Sequence, residues 1–331
     1  DFTGDKAEVA SEASNLLISN HSYGTITGWN YNSSQSRWEF YGRSTDNEDY
    51  KFGYYSNDTQ LLDSIAYNAP YYLYVKSAGN SRNQNGPAVG QPFFRYNASN
   101  SMAAAGNRPD GISNNDGYEI VSWDGNAKNI LTVGAVNGIS SIYSRPEDVV
   151  MSSFSCWGPT DDGRIKPDIS AKGVNMYSAT GATGYSNYSG TSMSSPNAAG
   201  SATLLQQHYN NLNGVFMRSS TLRGLVLHTA DEAGTSPGPD YRFGWGLFNT
   251  ERAADVISES GISSTILEEE IKTDEVYTYS VQSDGVDDLV VSLTWVDPPG
   301  NLLPNGINDN PIPSLINESF LFVILSIILF Y

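Results

Sequence analysis

The sequence predicts an α/β fold, a three-layer sandwich with a mainly parallel sheet, followed by a partial all-β domain. Three observations predict it. Helical and strand periods alternate over residues 5–254, as they do where helices cover both faces of a parallel sheet. Beyond Thr265, Val276, Tyr277, Val281, Leu289, Val291, Leu293 and Trp295 follow strand alternation, with turns at Asp284-Gly285 and Asp297-Pro298-Pro299-Gly300. The chain has 331 residues with 12% aromatics, enough apolar material for a folded core.

Each element has a local reason. Residues 6–15 are Ala- and Glu-rich and read as a helix, and residues 16–20 as a short buried strand. Asp1 reads as the end of a strand preceding that helix. Leu62, Ile65, Ala66 and Ala69 share one helical face, which Pro70 terminates. Residues 71–76, 129–136 and 148–154 read as the next three strands. Helices follow at 193–208, 221–229 and 250–257, the last with Asn249 as N-cap. Two long polar stretches, 29–60 and 81–123, interrupt the rhythm; loops of that length are functional or carry structure of their own. The domains are therefore expected at 1–258, with a Ser/Gly linker at 259–265 and a partial β-sandwich with an apolar tail at 266–331.

Composition narrows the function. There are 18 basic and 36 acidic side chains, a formal net charge of −18, which excludes nucleic acid and an anionic membrane surface as partners. A single cysteine, Cys156, excludes an internal disulfide framework and any cysteine-built zinc site, and it reads as a small buried side chain. Only three histidines are present, so imidazole chemistry has few candidates. The chain opens at Asp1 without a signal-peptide pattern and closes on an apolar run, 320–331, too short for a membrane span; both ends read as those of a fragment.

The strongest local signal is Gly190-Thr191-Ser192-Met193-Ser194-Ser195-Pro196 ahead of an Ala/Gly/Ser-rich helix. A serine in the first helical turn sits at the positive end of the dipole, where backbone N–H groups lack intrahelical partners and can face an oxyanion. That is what a serine nucleophile in acyl transfer requires. Ser194 occupies the last position of Gly-x-Ser-x-Gly, so the α/β-hydrolase elbow is not met. A second signal is Ser77-Ala78-Gly79-Asn80 at the end of an apolar strand, where α/β sheets place ligands and an Asn amide can donate to a developing oxyanion.

Together these motifs resemble the subtilisin-like serine peptidases. Gly190 to Pro196 matches the family's nucleophile motif, Ser77 to Asn80 its oxyanion motif, and Asn20-His21-Ser22-Tyr23-Gly24 its substrate-pairing strand. Phe154-Ser155-Cys156-Trp157-Gly158-Pro159, Lys166-Pro167-Asp168 and Gly244-Trp245-Gly246-Leu247-Phe248-Asn249 resemble the segments before and after the nucleophile. The resemblance covers residues 1–258, and the region after Thr265 is similar to the β-sandwich that follows the catalytic domain in some secreted members. It implies a secreted serine endopeptidase acting on proteins or peptides. In it Ser192 is the nucleophile and Asn80 the oxyanion donor. Ser22, Tyr23 and Gly24 pair with substrate, and Ser77, Ala78 and Gly79 line the main side-chain pocket.

The family's catalytic Asp and His segments have no counterpart here, so the resemblance implies that both lie upstream of residue 1. His208 lies on the nucleophile's own helix, roughly 24 Å along it at about 1.5 Å per residue, and cannot serve as base. His228 reads as a packed or surface residue, and His21 falls in the substrate strand. No cofactor is required for the chemistry. The acidic clusters Asp46-Asn47-Glu48-Asp49, Asn114-Asn115-Asp116-Gly117 and Asp161-Asp162 could hold structural calcium, although none fits the EF-hand loop pattern. Two rival readings stay open. One is a non-catalytic binding or adhesion protein that keeps the fold and uses the aromatic stretch 29–55 as its contact surface. The other is a serine esterase, disfavoured by Ser194.

Overall fold

The computed structural model describes residues 2–139, 142–272, 274–281, 288–302, 304 and 308–317. In chain order the elements are α1 (Phe2–Glu12), β1 (Ile18–His21), β2 (Trp29–Asn32), β3 (Arg37–Phe40), α2 (Asn57–Asn68), β4 (Leu73–Ser77), β5 (Pro92–Tyr96), β6 (Met102–Asn107) and β7 (Leu131–Val136). They continue with β8 (Ile169–Lys172), β9 (Met176–Thr180), β10 (Gly184–Tyr188), α3 (Thr191–Asn213), α4 (Ser219–His228) and α5 (Thr250–Ser258).

The central sheet runs β1-β4-β7-β8, every pair parallel, with β1 and β8 at its edges. Side chains alternate across a strand, so each inner strand feeds two cores. Leu73 and Val75 join Leu131, Val133 and Ile169 beneath Ala198, Ala199 and Ala202 of α3. Tyr72 and Tyr74 join Leu62, Ile65 and Ile130 on the opposite face, with Val9 and Ala13. Helices on both faces explain why β4 and β7 are buried along their whole length. The expected three-layer architecture is thus present. The alanines of α3 let it lie close over the sheet, and it ends at Gly214, whose φ of 72° is the left-handed stop that glycine supplies cheaply.

The Asn249 cap falls where the sequence puts it, and the structure adds a second at Ser56. Ser56 accepts from the Thr59 N–H at 3.2 Å to open α2, and Asn249 accepts from the Arg252 N–H at 2.9 Å to open α5. Three expectations change. The first helix begins at Phe2, leaving the strand expected at Asp1 outside the described residues. Residues 148–154 are not a strand: Pro146–Asp148 form a 3-10 turn, and Met151 makes one antiparallel bridge to Val136. Both flanks of β7 are taken by β4 and β8, which leaves no ladder for 148–154 to join. The long polar stretches build a sheet of their own, β2-β3-β5-β6, around Trp29, Phe40, Phe93 and Ile112. Trp29, Phe40, Phe52, Tyr54 and Tyr55, five of the nine aromatics in the stretch 29–55, are therefore buried.

After α5, the described residues of 266–317 contain no strand, since alternation without a neighbouring ladder does not fix one. Part of this segment instead straps the domain. A Cβ on Gly224 of α4 would fall 2.3 Å from Thr294, so the strap lies directly on the helix. Lys128 and Asp297 form a buried ion pair, and Asp297 also accepts from the Ile316 and Asn317 N–H groups at 3.0 and 2.8 Å. The Lys128 Nζ donates further to Pro298 O and Ser314 O at 2.6 and 2.8 Å. The apolar run 320–331 lies outside the described residues, and among those described no helix is long and apolar enough to cross a membrane. Removing one partner strands the other charge in the interior, so Asp297→Ala should cost about 3–5 kcal/mol of unfolding free energy. Chemical denaturation checks this; a loss below about 1 kcal/mol would mean the pair behaves like an exposed one.

Candidate active site

The C-terminal ends of β1 and β4 converge on the N-terminus of α3, and the residues singled out in the sequence meet there. The first N–H groups of a helix have no intrahelical acceptor. Asn80 supplies one: its Oδ1 accepts from the Thr191 N–H at 2.8 Å and from the Thr191 hydroxyl at 2.9 Å. A backbone N–H can only donate, so the orientation of the Asn80 carboxamide is settled by its partner. Its NH2 group is the part left for other acceptors. Asn80 is exposed, its neighbour Ser192 half-buried, and the Ser192 N–H has no acceptor among the described residues.

The second tether comes from a proline. Pro196 lies inside α3 and has no N–H, which deprives the carbonyl four residues earlier of its helical donor. That carbonyl belongs to Ser192, and the Ser22 hydroxyl donates to it at 3.0 Å. The Ser192 hydroxyl returns a hydrogen bond to Ser22 O at 3.1 Å, and Ser195 Oγ donates to Asn20 Oδ1 at 2.7 Å. Tyr23 and Gly24 continue from Ser22 as exposed chain.

Ser77, Ala78 and Gly79 lead from the end of β4 to Asn80. Ser77 Oγ donates to His21 O at 3.4 Å, Ala78 N to Val133 O at 3.1 Å, and Gly79 N to Thr191 Oγ1 at 3.1 Å. Gly79 has φ of 114°, and a Cβ there would press on Cys156 Sγ at 3.0 Å, so glycine is required twice over. Cys156 is buried and free, as expected of a lone cysteine here, and burial pushes its thiol up.

Two participants escaped the sequence reading. Thr191 enters the sequence only as a member of the Gly190–Pro196 motif, yet its hydroxyl joins Asn80 to Gly79. Lys76 is buried beneath the Ser22–Gly24 segment, where its Nζ donates to Tyr23 O and pairs with Asp124 at 3.7 Å. A lysine at the end of an apolar strand was the available signal. The histidines are engaged elsewhere. His21 lies between Ser19 Oγ and the Tyr23 hydroxyl, each at 2.6 Å, and stacks on Tyr74 with ring centroids 3.6 Å apart. His208 meets Ser258 and His228 meets Ser292, each at 2.8 Å. Among the described residues, no hydrogen bond joins a histidine to Ser192.

The start of α3 thus places Ser192 next to Thr191, whose N–H is held by Asn80 just beyond the end of β4. The Subtilase family model matches residues 3–246, and the chain belongs to that family. It is 31% identical over 191 residues to the PII-type proteinase of Lacticaseibacillus paracasei, an overlap of 50% of this chain and 10% of that protein. To the C5a peptidase of Streptococcus pyogenes serotype M3 it is 36% identical over 120 residues, 36% of this chain and 9% of that one. The chain thus spans about a tenth of the length of the curated relatives it matches. Among solved structures, the patellamide maturation protease PatA aligns with a TM-score of 0.47 at 19% identity, over 77% of this chain and 68% of that one.

Thr191→Val keeps the side-chain volume but leaves Gly79 N–H and Asn80 Oδ1 each short of a partner. It should lower stability by about 1–3 kcal/mol, seen as a reduced denaturation midpoint at constant slope, while Thr191→Ser stays near the parent.

Proposed function

We propose that this chain carries the nucleophile and oxyanion side of a secreted serine endopeptidase, which cleaves proteins or peptides through an acyl-enzyme on Ser192. The observation that carries the reading is the Asn80 carboxamide, pinned by Thr191 through its oxygen and left with its NH2 as a donor beside Ser192. Ser192 Oγ attacks the scissile carbonyl, and the carbonyl oxygen takes up negative charge between the Asn80 NH2 and the Ser192 N–H. Donors fixed before the reaction begins need no reorganisation as charge develops, which is where their catalytic value lies. Ser22, Tyr23 and Gly24 take the substrate as an added strand, and Ser77, Ala78 and Gly79 form the wall of its main side-chain pocket. The Ser192–Ser22 hydrogen bond is a resting contact, broken when substrate pairs with Ser22 O.

A serine hydroxyl needs a base, and this site has no histidine bonded to Ser192 among the described residues. In our reading the His and Asp come from sequence outside these 331 residues, and the chain by itself does not turn over substrate. Losing the base costs about as much as losing the nucleophile. Residues 1–331 expressed alone should therefore show no peptidase activity and should resist a fluorophosphonate probe at Ser192. Stoichiometric labelling abolished by Ser192→Ala would place a working base inside this chain. In the complete peptidase, Asn80→Ala should lower kcat by roughly 10²–10³ with KM nearly unchanged. A rise in KM at constant kcat would make Asn80 a ground-state contact instead.

A further inference from the structure

Six of the eleven arginines form ion pairs among the described residues. Arg82 and Arg242 form none there, although acids outnumber bases two to one along the chain. Both are gathered at one aromatic ring instead: their guanidinium carbons lie 4.0 and 4.9 Å from the centre of Trp157. Asp240, close in sequence to Arg242, turns its Oδ1 to the Arg242 and Phe243 N–H groups, each at 2.7 Å. Two neighbouring cations are thus left without a counter-charge.

Each guanidinium is held so that part of it stays available. Arg82 Nε donates to Ser155 O at 2.9 Å and its Nη2 to Ser152 O at 2.7 Å, which leaves Nη1 without an acceptor among the described residues and still reached by solvent. Arg242 is exposed; its Nε donates to the Tyr118 hydroxyl at 3.1 Å, and neither Nη group has an acceptor among the described residues. The ring beneath them is fixed. Trp157 is buried, and its Nε1 donates to Gly117 O at 2.9 Å. Guanidiniums laid on a fixed aromatic base have already given up the rotamer freedom that a ligand would otherwise take from them. Burial first, and then the charge of Arg242, lowers the Arg82 guanidinium from its ordinary value, so the two cations feel each other.

The pair is fastened to the candidate active site. Arg82 follows Asn80 by two residues, no more than about 7 Å of extended chain. Cys156 N donates to Gly79 O at 3.0 Å and Arg82 N to Phe154 O at 3.3 Å, so Trp157 stands beside the same turn. The 152–155 segment rests on β7, through Ser152 N to Ala135 O and Ala135 N to Ser155 Oγ, each at 3.0 Å. Ser22 to Gly24 leave β1, which lies on the other flank of β4. A peptide that pairs with Ser22–Gly24 and crosses Asn80 is headed for the two arginines. We propose, on the peptidase reading above, that Arg82 and Arg242 form a substrate subsite for an acidic side chain roughly two to four residues from the scissile bond, on the side leading away from Ser22–Gly24. Guanidinium N–H groups in a fixed fork match a carboxylate side-on, and the bond is charge-assisted. The net charge of −18 repels an acidic peptide from afar, but screening removes that repulsion beyond about 8 Å at physiological ionic strength and leaves the contact pairs.

The test compares decapeptides that differ only in carrying Glu, Gln or Lys at that place. With the complete peptidase, kcat/KM for the Glu peptide should exceed that for Gln by about three- to tenfold, and Lys should fall below Gln. Arg242→Glu should invert the order and raise Lys above Gln, which a loss of packing alone would not do. Arg82→Lys keeps the charge without the fork and should retain a weaker preference for Glu. If Arg242→Glu does not fold, Arg242→Gln should bring the preference for Glu down towards parity. Calorimetry of the same peptides with the 331-residue chain reads the order of Kd without turnover, and it should match. A parent indifferent to the three peptides, or an Arg242→Glu variant that keeps the parent's order, would overturn the subsite. Tighter binding of the Glu peptide with no cleavage by the complete protein would overturn the peptidase reading and uphold the arginine surface as a place where acidic peptides bind. Self-association abolished by Arg242→Glu, with no preference among the peptides, would give the arginines to a second copy and overturn the substrate assignment.

Discussion

The site depends on how the start of α3 is fastened to the ends of two strands. A long helix with a small-residue face can slide over a sheet unless its end is fixed, and here it is fixed by neutral hydrogen bonds alone. Asn80 takes the first N–H of the helix for β4. Ser22 takes the carbonyl that Pro196 leaves without a donor, for the chain leaving β1. Each bond contributes only about 1 kcal/mol net, but leaving any of these groups unpaired costs more than the bond gains. The geometry of Ser192 is held by the need to satisfy every neighbour at once.

Much of this was legible from residues. The αβ alternation, the capped helices and the meeting of the Ser192 and Asn80 motifs follow from periodicity and from where a parallel sheet puts its ligands. Residues 148–154 were misread because their apolar pattern carries no information about which neighbour occupies the edge of β7. The burial of Trp29 and Phe40 within the stretch 29–55 was not legible because polar residues outnumber core residues there. The sheet that buries Trp29 and Phe40 is completed only by β5 and β6, more than fifty residues later. The tether of Ser192 O was hidden in a rule about proline that says which carbonyl is freed but not which hydroxyl will find it. Lys76 showed itself as a charge in an apolar strand, with no indication that Tyr23 O and Asp124 were its partners.

The C-terminal segment belongs to the same argument about unpaired groups. Composition marks 259–265 as a linker, yet the chain beyond returns to supply Asp297 to Lys128 and the Gly300 N–H to the Tyr55 hydroxyl at 2.9 Å. Tyr55 in turn donates to the fully buried Asp63 at 2.7 Å, whose other oxygen accepts from the Lys128 and Asn129 N–H groups at 2.8 and 2.9 Å. A boundary drawn from sequence texture therefore crosses a connected polar network. The satisfied acids of that network show one way a protein of net charge −18 accommodates negative charge in its interior.

β1 is an edge strand, and among the described residues no further strand lies beside it. A bare edge of a parallel sheet offers its backbone groups to any extended chain that arrives, a second copy included. Two features restrain that traffic: the strand is only four residues long, and copies with a net charge of −18 repel each other before their edges can meet. The second restraint is electrostatic and fades as salt shortens its reach to about 10 Å near 0.1 M. Association of copies through this edge is therefore expected to grow with ionic strength, as screening weakens their mutual repulsion.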